Sequence, residues 1–172
     1  MSDSFSRDIS RDLDRDMSRS PEILMVDDNP ADVTLVRESL AETVYQSHLH
    51  SACDAKDAIE YLQRMGKYRT TVRPDLVILD LNLAERNGHK VLSLLKSDAE
   101  LRQIPVIAFS SSRSPQDIAR SYEAGANCYV NKPADLKRYF SAARAIEEFW
   151  FGYAVLPPRE SNDRSSHAHS AD

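Results

Sequence analysis

An uninterrupted apolar run, Leu76-Val77-Ile78-Leu79, stops abruptly on an acid, Asp80. A strand with one wet face alternates apolar and polar residues, so a run without alternation fits a parallel strand covered on both faces. The same arrangement recurs along the chain. Ile23-Leu24-Met25-Val26 ends on Asp27 and Asp28, Val106-Ile107-Ala108-Phe109 ends on Ser110, and Cys128-Tyr129-Val130 is followed closely by Lys132. A further strand, the least distinct, is placed around 48–53. Helical patterns fill the intervals. Asn29 caps and Pro30 opens the first, which carries Val33, Val36, Leu40 and Val44 at helical spacing. The second covers about 56–65 and is closed by Gly66. The third follows Gly88 and contains Val91, Leu92 and Leu95. Ser114-Pro115 caps the fourth, which turns Ile118 and Tyr122 inward and stops at Gly125, and the last runs from near Asp135 to about Trp150.

Strand–helix alternation of this kind gives an α/β fold: a five-stranded parallel sheet, doubly wound by right-handed crossovers, with helices on both faces. In such sheets ligands collect beyond the carboxyl ends of the strands. That edge receives Asp27 and Asp28 from the first strand, Asp80 from the third, Ser110 from the fourth and Lys132 from the fifth. Clustered carboxylates repel one another, and a hard dication with oxygen ligands relieves the repulsion; Mg²⁺ suits a few carboxylates plus water and phosphate. Beside such a cation Asp80 can act as a nucleophile towards phosphorus, with Lys132 and Ser110 serving the phosphoryl oxygens. Singly, each residue has a plainer reading, since acids before a helix often only complement its dipole. Their placement at successive strand ends favours a common purpose.

The rest of the composition narrows the class. A chain of 172 residues, 41% hydrophobic and 28% charged, fits one soluble domain. Two cysteines, Cys53 and Cys128, without a Cys/His cluster, argue for a reducing compartment and against structural zinc. The expected location is cytoplasmic, because there is neither a membrane-length apolar run nor a signal peptide. The net charge of −5 disfavours nucleic-acid binding.

Asp27-Asp28, Asp80, Ser110, Lys132-Pro133 and Tyr129 together resemble the receiver domain of bacterial response regulators, the CheY-like fold, over residues 22–150. The resemblance implies strand order 2-1-3-4-5 and phosphorylation on Asp80. It implies a metal site formed by Asp28 and Asp80 directly, Asp27 partly through water, and the backbone carbonyl of Asn82. It further implies that Ser110 and Lys132 hold the phosphoryl group, that Ser110 and Tyr129 form a switch, and that Lys132-Pro133 is a cis peptide. Two positions depart from the family pattern: Ala84 stands where proline is usual, and Ala55 where glycine is common. Shorter stretches, among them Asp28-Asn29-Pro30-Ala31-Asp32-Val33 and Ile146-Glu147-Glu148-Phe149-Trp150, look like the single-domain regulators that serve phytochromes. That narrower likeness implies a light-sensing histidine kinase as phosphodonor and a homodimer. A phosphoacceptor that signals to a further, unidentified protein is thus expected, rather than an enzyme. The alternative is a pseudo-receiver acting as a phosphorylation-independent scaffold, although no acid and no lysine is missing. An aspartyl phosphatase would need a second acid where Asn82 stands.

The chain divides into an extension over 1–20, the receiver over 21–150 and a second extension over 151–172. In the first, Phe5, Ile9, Leu13 and Met17 recur every four residues, compatible with a solvated tail or a helical arm. In the second, the aromatic cluster Phe149, Trp150 and Phe151 either caps the domain's own helices or forms a dimer interface. His167 and His169, in a polar tail, lack the further ligands of a metal site.

Overall fold

The structure is a computed structural model that describes residues 19–84 and 87–158. The repeat around Phe5, Ile9, Leu13 and Met17 and the pair His167 and His169 lie outside the described residues. Five strands and five α-helices alternate: β1 (Glu22–Val26), α1 (Pro30–Ala41), β2 (His48–Ala52), α2 (Ala55–Leu62), β3 (Leu76–Leu79), α3 (Gly88–Ser97), β4 (Val106–Ser110), α4 (Pro115–Glu123), β5 (Cys128–Asn131) and α5 (Leu136–Glu148). The strands pair in parallel in the order β2-β1-β3-β4-β5. This is the expected doubly wound sheet with helices on both faces.

The unbroken apolar runs are the reason the sheet sits at the centre. Every residue of β1, β3 and β4 is buried. Because side chains alternate across a strand, each run feeds two cores. Leu24, Val26, Val77, Leu79, Val106 and Ala108 pack on one face with α2 and α3. Ile23, Met25, Leu76, Ile78, Ile107 and Phe109 pack on the other with α1 and α5. The indistinct second strand, His-Leu-His-Ser-Ala, is an edge, and much of what orders it is polar. His48 Nδ1 and His50 Nε2 lie 3.0 Å and 2.6 Å from the carboxylate of Glu22, on the neighbouring strand. Burial alone would push the Glu22 carboxyl up, but the two imidazoles pull it below its ordinary value.

Helix starts follow capping chemistry. Asn29, Asp54, Ser114 and Asp135 each accept a backbone N–H of the first turn. Three helix ends differ from the sequence expectation. The first helix stops at Ala41, so Val44 lies beyond it and is exposed. The second helix stops at Leu62 rather than near 65, because the backbone is already left-handed at Arg64 (φ 53) before Gly66 (φ 54), and a 3₁₀ turn follows over Gly66–Tyr68. The last helix ends at Glu148 and widens into a π-helical turn over Phe149–Tyr153, where Gly152 lies against the Tyr45 hydroxyl with no room for a Cβ. Lys132-Pro133 is also corrected: the described residues contain no cis peptide bond. The two isomers of an X–Pro bond differ by only about 0.5–1 kcal/mol, so the dipeptide by itself does not choose between them.

Gly88 ties the fold to the strand-end acids. A Cβ there would lie 2.5 Å from the carbonyl oxygen of Asp80 and 2.5 Å from Leu81 Cα, both backbone atoms with little freedom to give way. Replacing Gly88 with alanine is expected to lower stability by about 2 kcal/mol, within the range for overpacking a tight contact. Urea denaturation checks this, and an unchanged midpoint would show that the loop after β3 yields without cost.

Candidate functional site

The carboxyl edge of the sheet brings the expected groups together. Lys132, one residue beyond β5, has a side chain only 9% exposed. Its Nζ lies 2.6 Å from Asp80 Oδ2, 2.7 Å from Asp27 Oδ2 and 2.9 Å from Asp32 Oδ2. Asp27 and Asp80 are themselves buried. Burial pushes the Asp27 carboxyl up in spite of its bonds to Lys132. Burial alone would lower the Lys132 ammonium, but the hydrogen bonds it donates to three carboxylates hold it above its ordinary value. The lysine is therefore a fixed cation.

The other oxygens of the acids are held by backbone donors. Asn29 N donates to Asp27 Oδ1 (2.9 Å), Asn82 N to Asp80 Oδ1 (2.8 Å) and Ala84 N to Asp28 Oδ2 (3.0 Å). The last bond depends on the departure seen in the sequence, since a proline at 84 would have no N–H to give. Asp28 is exposed and faces the open side.

Ser110 is fully buried at the end of β4. Its Oγ accepts from Asn82 Nδ2 at 3.0 Å and from Ser112 N at 3.3 Å. Tyr129 lies half-buried on β5, and its hydroxyl donates to Ser112 O at 2.7 Å. Asn131 Nδ2 donates to Ser110 O and Ser112 O, and Lys132 N donates to Ser110 O. Ser110, Tyr129 and the lysine backbone thus share one loop, 110–114.

Two residues of this site escaped sequence reasoning. Asp32 entered only as one position of a family-like stretch, with no role at the site, and Asn131 was not singled out. The carboxylate expected to matter and the lysine expected to matter were found, but the lysine's third partner was not. Phe149, Trp150 and Phe151 lie apart from this edge. Trp150 and Phe151 pack on the α1/α5 core. They also border a cavity of about 380 Å³ with Pro21, Val44, Tyr45 and Leu156. Phe149 meets Trp150 edge-on, at 5.3 Å between ring centroids, and is exposed along with Tyr153 and Val155.

The acids fit a divalent cation. Asp27, Asp28 and Asp80 can each offer an oxygen within 4.8 Å of the others, and no helix among the described residues is long and apolar enough to cross a membrane. With Asp32 included, four carboxylates face one ammonium, an imbalance that a dication would reduce.

Comparison with known proteins identifies the family. The response regulator receiver domain profile matches residues 23–144. Response regulator Rcp1 of Synechocystis sp. (strain ATCC 27184 / PCC 6803 / Kazusa) is 38% identical over 135 residues, covering 78% of this chain and 92% of Rcp1. The crystal structure of the phosphorylated cyanobacterial phytochrome response regulator RcpA superposes with a TM-score of 0.78 at 40% identity, covering 81% of this chain and 100% of that one. The Mn²⁺-bound form of Rcp1 gives 0.76 at 37% identity, covering 80% and 99%.

Removing the ammonium leaves Asp27, Asp32 and Asp80 facing one another out of water. Lys132→Met is expected to cost about 3 kcal/mol in EDTA, the usual scale for breaking a buried ion pair from one side. Millimolar divalent cation should recover part of that loss. Urea midpoints with and without the cation test the pair of effects; equal midpoints for wild type and variant in EDTA would show that the acids do not depend on Lys132.

Proposed function

The chain belongs to the response regulator receiver family, and from that premise we propose that it accepts a phosphoryl group on Asp80 from the phosphohistidine of a sensor histidine kinase. The observation that carries this reading is the pairing of Asp80, buried at the end of β3, with Lys132 at 2.6 Å. The residues that would hold Mg²⁺ are Asp27, Asp28, Asp80 and the backbone carbonyl of Asn82. Bound there, Mg²⁺ supplies the fixed positive charge that lets an anionic carboxylate approach an anionic phosphoryl group. An oxygen of the Asp80 carboxylate forms the new bond to phosphorus as the P–N bond to the donor imidazole breaks, and the leaving imidazole nitrogen takes up a proton. Lys132 transfers its ammonium from Asp80 to a phosphoryl oxygen. The Ser110 hydroxyl turns from Asn82 towards a second oxygen, and catalysis is positioning and electrostatics throughout.

Ser110 and Tyr129 are the proposed switch. Rotation of Ser110 removes an acceptor from Asn82 Nδ2 and from Ser112 N, and Ser112 O is the partner of the Tyr129 hydroxyl. A change at the phosphoryl group therefore reaches β5 and the 110–114 loop through three bonds, which suits a bistable element. The output is a surface read by a further, unidentified protein. Similarity to RcpA and Rcp1 favours a phytochrome-type kinase as donor. In this reading residues 21–150 are the receiver, and the segment that begins with Phe149, Trp150 and Phe151 builds a homodimer interface. The support for that interface is the exposed apolar group Val44, Phe149, Tyr153 and Val155 at one end of the molecule.

Two measurements test the proposal. Incubated with acetyl phosphate and Mg²⁺, the protein should gain the mass of one phosphoryl group; EDTA should prevent the gain, and Asp80→Asn should abolish it. A gain that persists in Asp80→Asn would move the acceptor elsewhere. In light scattering, Phe149→Ala combined with Tyr153→Ala should shift a dimer to monomer, while an unaltered mass would remove these residues from the interface.

A further inference from the structure

Asp32 is the unexplained member of the cluster. It is the third residue of α1, and acids at that position commonly do no more than face the helix dipole. Here the side chain is only 17% exposed, and its Oδ2 lies 2.9 Å from Lys132 Nζ. It is also absent from the trio, Asp27, Asp28 and Asp80, whose oxygens converge within 4.8 Å. A cation bound by that trio would take two of the three acceptors of Lys132 and leave the third.

The surroundings of Asp32 suit a resting place for an ammonium. A cavity of about 280 Å³ borders Asp32, Lys132, Pro133 and Tyr139, so the lysine has room to move. The Tyr139 hydroxyl is buried close to Asp32 and meets no hydrogen-bond partner at full bonding geometry among the described residues. Burial, then the negative charge of Asp32 and Asp27 and the proximity of the Asp32 carboxylate, holds it above its ordinary value, so it keeps its proton and can donate. When Lys132 turns to a phosphoryl oxygen, that hydroxyl is the spare donor for Asp32.

We infer that Asp32 is the positioning residue for Lys132: it keeps the ammonium anchored beside the phosphoryl position once Asp27 and Asp80 are engaged by a cation. In the resting site Lys132 is shared among three carboxylates. In the loaded site Asp32 becomes its principal partner, so the interaction between the two strengthens on loading. Without Asp32 the lysine competes with the cation for Asp27 and Asp80. The inference rests on the phosphoacceptor reading, but its test does not require phosphorylation.

The test is the Mn²⁺ affinity of four proteins, read from the electron paramagnetic resonance of free Mn²⁺: wild type, Asp32→Asn, Lys132→Met and the double variant. Removal of a negative charge weakens cation binding in any background. If Asp32 acts through Lys132, Asp32→Asn should weaken binding by at least about threefold more in the wild-type background than in the Lys132→Met background, the size of coupling expected of residues in direct contact. Equal factors in the two backgrounds would reduce Asp32 to one more charge and overturn the proposal. A crystal structure of the Mn²⁺-loaded wild type decides independently, even if Lys132→Met does not fold. Nζ within about 3 Å of a carboxylate oxygen of Asp32 is the expected result; Nζ still on Asp80, or turned to solvent, overturns it. Failure of Asp80 to take up phosphate would appear in the mass measurement and leave these readings unchanged.

Discussion

The ammonium of Lys132, held among Asp27, Asp32 and Asp80 at the end of the sheet, is the interaction on which the rest of the site depends. Buried carboxylates at successive strand ends would drive that edge apart, and a buried lysine would be equally unfavourable alone. Each makes the other tolerable. The arrangement joins three separate parts of the chain: the β1–α1 junction, the end of β3 and the turn after β5. It also leaves the acids poised, because an ammonium can be displaced by a stronger cation without unfolding what holds it.

Backbone geometry carries much of the precision. Asn29, Asn82 and Ala84 each direct an N–H at one acid, so the carboxylates are oriented by loops whose own course is set by the strands. Gly88 permits a further close approach, with α3 starting against the backbone of Asp80 and Leu81. The bond from Ala84 to Asp28 gives this chain a contact that the proline usual in its family does not offer. Loss of the ring's rigidity and gain of a donor are two sides of one substitution.

The opposite end of the molecule obeys different physics. There the departure of the chain from α5 is governed by bulky aromatic side chains. Trp150 and Phe151 turn back on the α1/α5 core while Phe149 and Tyr153 remain exposed. Packing on the core accounts for Trp150 and Phe151 but not for Phe149. Ser47 links to Glu147 in the same region, tying the α1–β2 loop to the end of α5.

What could be read from the sequence was whatever depends on local pattern. Unbroken apolar runs in β1, β3 and β4 announced strands covered on both faces, and the rule that ligands gather at their carboxyl ends selected Asp27, Asp28, Asp80, Ser110 and Lys132. Helix starts were legible where a capping side chain stood beside proline, as at Asn29 and Ser114. Helix ends at Leu62 and Glu148 were not, because Arg64 turns left-handed ahead of the glycine expected to do so, and Gly152 is pressed against Tyr45 from a distant loop. The edge strand β2 was faint because its apolar pattern is poor; Glu22 of the adjacent strand supplies the order. Asp32 and Asn131 were invisible as site residues because their roles are contacts with Lys132, Ser110 and Ser112, set by the fold and not by spacing along the chain. Local periodicity along the chain is enough to place these chemical groups at the strand ends. Which of them share the Lys132 ammonium is settled by the folded arrangement, because hydrogen bonds between residues a hundred positions apart depend on distances that no local pattern encodes.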